Sequence, residues 1–127
     1  MLLNFSGATS PYSIERVELP PFRPHKLRVL SILGMLREYA TPGLYKITCD
    51  LIEREPGNQH KILGFVIINR KQIFLEFQPT HSIWYKLRYH DINFADIKFQ
   101  SVTTDEIIIF EEFSIQLEVR ETYGGIQ

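Results

Sequence analysis

Apolar and polar residues alternate one for one along much of this chain. The clearest stretch is 113–120, where Phe113, Ile115, Leu117 and Val119 interleave with Ser114, Gln116, Glu118 and Arg120. Successive side chains of a strand point to opposite faces, so this pattern predicts a strand with one buried and one wet face. Residues 44–52 repeat it with Tyr45, Ile47, Cys49 and Leu51 on the inner face, and 95–99 with Ala95, Ile97 and Phe99. Residues 82–90 place Ile83, Tyr85, Leu87 and Tyr89 on one face, and 12–19 is a further strand candidate. The runs 62–68 and 72–78 flank the short polar link Asn69-Arg70-Lys71, which predicts a hairpin. Ile107-Ile108-Ile109-Phe110 is apolar on both faces and reads as a strand covered on both sides.

One segment fits two patterns. In residues 27–39, Val29, Ile32, Leu33 and Leu36 fall at helical spacing, yet the run also suits a strand buried on both faces. Periodicity alone does not separate the two, and the neighbouring strands favour a strand over 26–33. Turn signals at Ser10-Pro11, Pro20-Pro21, Thr41-Pro42-Gly43, Pro56-Gly57-Asn58 and Gln78-Pro79 divide the segments. The sum is eight to nine short strands and no firm helix. This predicts an all-β fold, an antiparallel β-sandwich of the jelly-roll kind, with residues 1–127 forming a single domain.

Composition narrows what such a sandwich does. Lys and Arg number 14 against 15 Asp and Glu, a formal net charge of -1. Without a basic excess to neutralise phosphates, nucleic acid is not an expected partner. A local basic patch around Lys86 and Arg88 remains compatible with that balance. No run reaches the ~20 apolar residues of a membrane span, so membrane insertion is not expected. The first residues carry no basic segment followed by an apolar one, so no signal peptide is expected either. The single cysteine rules out an intrachain disulfide.

Candidate chemistry is sparse. Cys49 lies on the inner face of a well-patterned strand, where a small buried hydrophobe is the simplest reading. His25, His60, His81 and His90 show no His-x-His or His-x-x-x-His pairing, and no metal or other cofactor is expected. The acids Asp50, Glu53, Glu55, Asp91, Asp105, Glu106, Glu111 and Glu112 are scattered, and Glu111-Glu112 reads as keeping a hairpin soluble. No glycine-rich phosphate loop or nucleophile elbow occurs. The expectation is a protein that is not an enzyme.

Aromatic residues make up 13% of the chain, and they carry the remaining signal. Trp84 falls between Ile83 and Tyr85, so its strand must aim a large aromatic away from the main core; Phe74 is placed similarly. Trp and Tyr concentrate at subunit contacts. Phe74, Trp84, Tyr89 and Phe110 are therefore the candidates for an interface between copies. Asn58, His60 and Asp105, in the loops 54–61 and 100–106, are the candidates for outward contacts.

The phrase Pro42-Gly43-Leu44-Tyr45-Lys46-Ile47-Thr48-Cys49-Asp50-Leu51-Ile52-Glu53 resembles the central strand of small jelly rolls in polinton-like and adintovirus-like double-stranded DNA viruses. The Gly57-Asn58 turn, the strand Ile62-Leu63-Gly64-Phe65-Val66 and the closing segments 84–87, 92–99, 107–110 and 113–120 extend the likeness over residues 42–120. The Gly-Leu-Tyr strand is also similar to the trimeric tumour-necrosis-factor and C1q-like jelly rolls. Thr103-Thr104-Asp105-Glu106 stands where an Asp-x-x-Gly turn is usual, and the tail from Tyr123 departs from the pattern. The resemblance implies a capsid, vertex or spike-head protein located in a virion or inside the host cell. Such a protein self-associates as a C2 dimer or a C3 trimer, with the trimer favoured, and its further partners would be other capsid proteins or a cell-surface receptor. A soluble trimeric ligand-binding or signalling module of cytokine or lectin type is the alternative.

Overall fold

Residues 1–81 and 83–122 are described by a computed structural model of the chain. Alternation in the sequence becomes alternation in burial. In the last strand, Phe110–Glu121, the residues Phe113, Ile115, Leu117 and Val119 are buried while their neighbours reach solvent. The strand Gly43–Cys49 buries Tyr45, Ile47 and Cys49 in the same way. Segment 27–39 resolves as a strand, His25–Leu36, because its inner positions, Leu27, Val29, Ile32 and Leu36, land in the core. A register shift between Gln116 and Leu117 keeps Val29 and Ile32 on one face despite their odd spacing.

Ten strands form among the described residues: β1 Leu2–Gly7, β2 Tyr12–Glu18, β3 His25–Leu36, β4 Gly43–Cys49, β5 Ile62–Ile68, β6 Phe74–Phe77, β7 Tyr85–Lys86, β8 Asp91–Ala95, β9 Ile97–Ser101 and β10 Phe110–Glu121. β6 and β7 pair with opposite ends of β3 and together fill one strand position. β8 and β9 are one strand interrupted at Asp96. There the Asp96 N–H donates to Asp50 Oδ1 at 2.8 Å, and the Asp96 carbonyl accepts from the Asp50 N–H at 3.3 Å. The Ser10 hydroxyl donates to Asp96 Oδ1 at 2.6 Å and accepts from the Ile97 N–H at 3.0 Å. Side chains thus satisfy the backbone groups that the broken ladder leaves over.

Eight strand positions remain, four per layer. One layer is the sheet β1-β10-β3-β6/β7; the other is made of two ladders, β2-β8 and β9-β4-β5, which the continuous β8/β9 segment joins in the order β2-β8/β9-β4-β5, antiparallel throughout. The first position pairs with the eighth, the second with the seventh, the third with the sixth and the fourth with the fifth. This is the order of one long antiparallel ribbon rolled on itself, a jelly roll. The inner faces meet through rings: Tyr12 on β2 stacks on Phe113 of β10 at 4.8 Å, and Phe99 of β9 meets Phe110 and Phe113 edge-on at 5.2 and 5.8 Å. Gly34 makes room for this cluster, since a Cβ there would lie 2.5 Å from the Phe110 ring.

Four local readings differ from the sequence expectation. The runs at 62–68 and 72–78 do not form a hairpin: β5 pairs with β4, β6 pairs with β3, and residues 69–73 cross from one sheet to the other. Ile107–Phe110 is not covered on both sides; Ile108 and Phe110 are buried, Ile107 and Ile109 exposed, and the strand begins only at Phe110. This also places Glu111-Glu112 inside β10 rather than between strands. The predicted strand at 82–90 contracts to Tyr85–Lys86, leaving Ile83 and Tyr89 exposed. Finally, β1 is a strand that sequence reading did not anticipate; it pairs along β10 and buries Leu3 and Phe5.

Candidate interaction surface

The ladder of an antiparallel pair uses the backbone groups of alternate residues, so a strand at the edge of a sheet keeps a second, open row. β5 is such an edge. Its sequence, Ile62-Leu-Gly-Phe-Val-Ile-Ile68, holds no charge and no proline. β4 lies on one side, and Leu63, Val66 and Ile68 enter the core. Phe65 and Ile67 point outward, 50% and 66% exposed, and Leu44 of β4, directly opposite Ile67, is exposed beside them. Val102 adds to this ridge, its N–H donating to the Leu44 carbonyl at 3.0 Å.

A groove of about 440 Å³ runs along the seam between β5 and the β6–β7 strand of the other sheet. Its walls are mostly apolar, with Leu63, Phe65, Phe77, Pro79, Ile83 and Tyr85 prominent. Among the described residues the Tyr85 hydroxyl donates across the seam to the Leu63 carbonyl at 2.9 Å. Burial raises the Tyr85 pKa, which keeps that donor protonated. The surface therefore combines an apolar ridge, an open backbone row and an adjoining apolar groove.

The residues singled out from sequence do not converge on one place. Phe74 is exposed on the outer face of β6, opposite Met35, with Leu33 nearby. Trp84 lies half-buried at the other end of β3, with the guanidinium carbons of Arg28 and Arg120 5.0 and 5.1 Å from its ring. Met35 and Leu27, which mark the two ends, are eight residues apart along β3, roughly 26 Å at the usual strand rise. Tyr89 is exposed beneath the Arg88 guanidinium at 5.0 Å. Phe110 is a correction: at 5% exposure it packs on Phe99 and Phe113 in the core and has no surface to offer a second copy.

Among the loop candidates, His60 and Asp105 are exposed. Asp105 adopts a φ of 62°, a conformation that Asp tolerates better than most residues. Asn58 is turned inward, its amide accepting from the Ile62 N–H at 2.8 Å and donating to the Ile62 carbonyl at 3.1 Å, so it latches the loop before β5.

Cys49 is buried on β4, and burial pushes its thiol up to about 12. Among the described residues no group of three or more His, Cys, Asp or Glu is arranged to hold a metal. Sequence reading missed Phe65, Ile67 and Leu44. Their signal was a β5 run apolar on both faces, which in an antiparallel sandwich leaves one face in need of cover.

No protein family, no curated protein and no solved structure matches the chain.

Proposed function

We propose that this chain is a structural subunit that assembles with copies of itself through β5, as a building block of a virus-like particle of the kind its sequence resembles. The observation that carries the reading is the uncharged edge strand Ile62–Ile68, with Phe65 and Ile67 held outward beside an apolar groove. Monomeric proteins guard such edges with charge, proline or bulges, and large exposed apolar patches mark contact sites. Two geometries follow. A two-fold contact pairs β5 with β5 of a second copy. A heterologous contact seats the Phe65–Ile67 ridge of one copy in the groove of the next and closes as a ring, the trimer among them.

Sedimentation of the whole chain at micromolar concentration tests this. A dimer supports strand pairing and a trimer supports groove filling; a monomer at tens of micromolar overturns the proposal.

A further inference from the structure

A second surface, at the end of the sandwich where β3 begins, has the opposite chemistry. The register places Arg120 of β10, Lys26 of β3 and Lys86 of β7 side by side in one row across three strands. Like charges directly opposite on neighbouring strands destabilise a sheet. Neither Lys26 nor Lys86 has an ion-pair partner among the described residues, while Arg120 pairs with Glu118 at 3.7 Å and lies over the Trp84 ring.

Lys26 and Lys86 of this row line depressions that share residues with one another. The first, about 270 Å³, is lined by Arg23, His25, Lys26, Lys86, Arg88 and His90 among others. The second joins it at Arg88 and adds Arg54 and Lys61; the third joins it at Lys26 and Lys86 and adds Trp84. Six Lys and Arg line the three together, against the acids Glu53 and Glu55, in a chain whose net charge is -1. Of those six, only Arg23 is ion-paired among the described residues, with Glu121 at 3.1 Å.

His25 is an independent sign. It is 7% exposed, forms part of the wall of the first depression, meets the His90 ring edge-on at 6.2 Å, and keeps a buried Nδ1 with no hydrogen-bond partner. Buried polar atoms are nearly always satisfied, and this one finds no partner among the described residues.

We propose that this basic end binds a ligand carrying tetrahedral oxyanions in series, phosphate or sulfate groups. Compact multiply charged oxyanions accept charge-assisted hydrogen bonds from several Lys and Arg donors at once. They would neutralise the two lysines of the row that have no ion pair among the described residues. The source of those groups, a polyphosphate or a sulfated sugar, is what the experiment separates.

Trp84, the only tryptophan, lies beside Lys26 and Lys86 and reports on the site. The whole chain is titrated at low salt with tripolyphosphate and, separately, with a sulfated heparin tetrasaccharide, following Trp84 fluorescence. A saturable response to one probe identifies the source, and a response to both assigns the shared oxyanion chemistry.

Lys26→Glu separates a binding site from a merely charged surface. It is expected to weaken binding at least tenfold while raising the melting temperature, because it places a carboxylate between Arg120 and Lys86. Lys71→Glu makes the same charge change at a remote exposed position and is expected to leave binding within twofold. The absence of a saturable response to either probe at millimolar concentration overturns the proposal, as does equal weakening by the two variants.

Discussion

β2 and β5 are the two edges of the same layer of the sandwich, and they are finished differently. β2, Tyr12–Glu18, carries Glu15, Arg16 and Glu18, and its ladder to β8 is broken between Ser13 and Val17. Arg16 grips both carboxylate oxygens of Asp91, at 2.8 and 2.6 Å, and reaches Glu18 at 3.0 Å. Charge and irregular register are the usual means of preventing edge-to-edge pairing. β5 has a ladder irregular only at its Ile62 end, no charged residue, and apolar side chains outward. β1 is also an uncharged edge, but its outward row includes the polar Asn4 and Ser6. What matters is therefore what an edge turns to solvent: β6, the fourth edge, exposes Phe74 beside Leu33 and Met35 but carries Glu76, and among the described residues only β5 joins an open, uncharged edge to exposed aromatic and branched side chains.

The largest effect is expected from giving β5 the protection β2 already has. Phe65→Glu combined with Ile67→Lys places two charges on the ridge without touching the inward Leu63, Val66 and Ile68. Burying a large apolar side chain is worth about 1.5–3 kcal/mol, and in a two-fold contact each loss counts twice. Association is expected to weaken at least ~100-fold, equivalent to about 2.7 kcal/mol. Sedimentation velocity reads the change, with far-ultraviolet circular dichroism confirming the retained sandwich. An unchanged mass distribution would remove β5 from the assembly.

How much of this was legible from sequence depends on the range of the information. The strand at 113–120 was plain because its period-two pattern is local and one of its faces is wet. The strand choice for 26–33 against a helix was correct for a less local reason, the company of other strands. The hairpin at 62–78 failed because a short polar link between apolar runs looks the same whether the runs pair or cross between sheets. Pairing is a non-local property, and β5 finds β4 while β6 finds β3. Phe110 was misplaced for a related reason. Its burial comes from Phe99 and Phe113 and from the space Gly34 leaves, none of which local alternation encodes. The β5 ridge was hidden because a strand apolar on both faces gives no contrast to read.

Tyr12 offers a second contrast between the edges. It anchors β2 by stacking on Phe113, and burial, then the nearby Asp96 carboxylate, raise its pKa from 10.0 to about 12. The folded state favours the neutral phenol, so this contribution is complete below pH 10 and is lost as pH rises towards about 12. The loss is expected to be on the order of 1–2 kcal/mol, less than the full shift of two units implies. Tyr45 and Tyr85 are raised by burial too and lose stability in the same direction. The contrast is read in Tyr12→Phe: urea midpoints measured below pH 10 and near pH 12 are expected to lie closer together than in the unaltered chain. If the pH dependence is unchanged, ionisation of the Tyr12 phenol is not what the fold resists.

The smallest effect is expected from the converse change, making β2 resemble β5. Arg16→Val with Glu18→Val removes the bidentate grip on Asp91, whose carboxyl the Arg16 hydrogen bond now holds below its usual range. Valine favours strands, so the edge becomes more apolar and more regular in composition. Yet the register break between Ser13 and Val17 stays, as does Glu15. Self-association through β2 is therefore expected to rise only a few-fold, best measured in the Phe65→Glu/Ile67→Lys background, where β5 no longer contributes. Charge and backbone irregularity protect an edge by different means, the first by the cost of desolvation and the second by denying a continuous ladder. A gain as large as the loss at β5 would mean that charge alone had kept β2 single, and that the broken register contributes nothing.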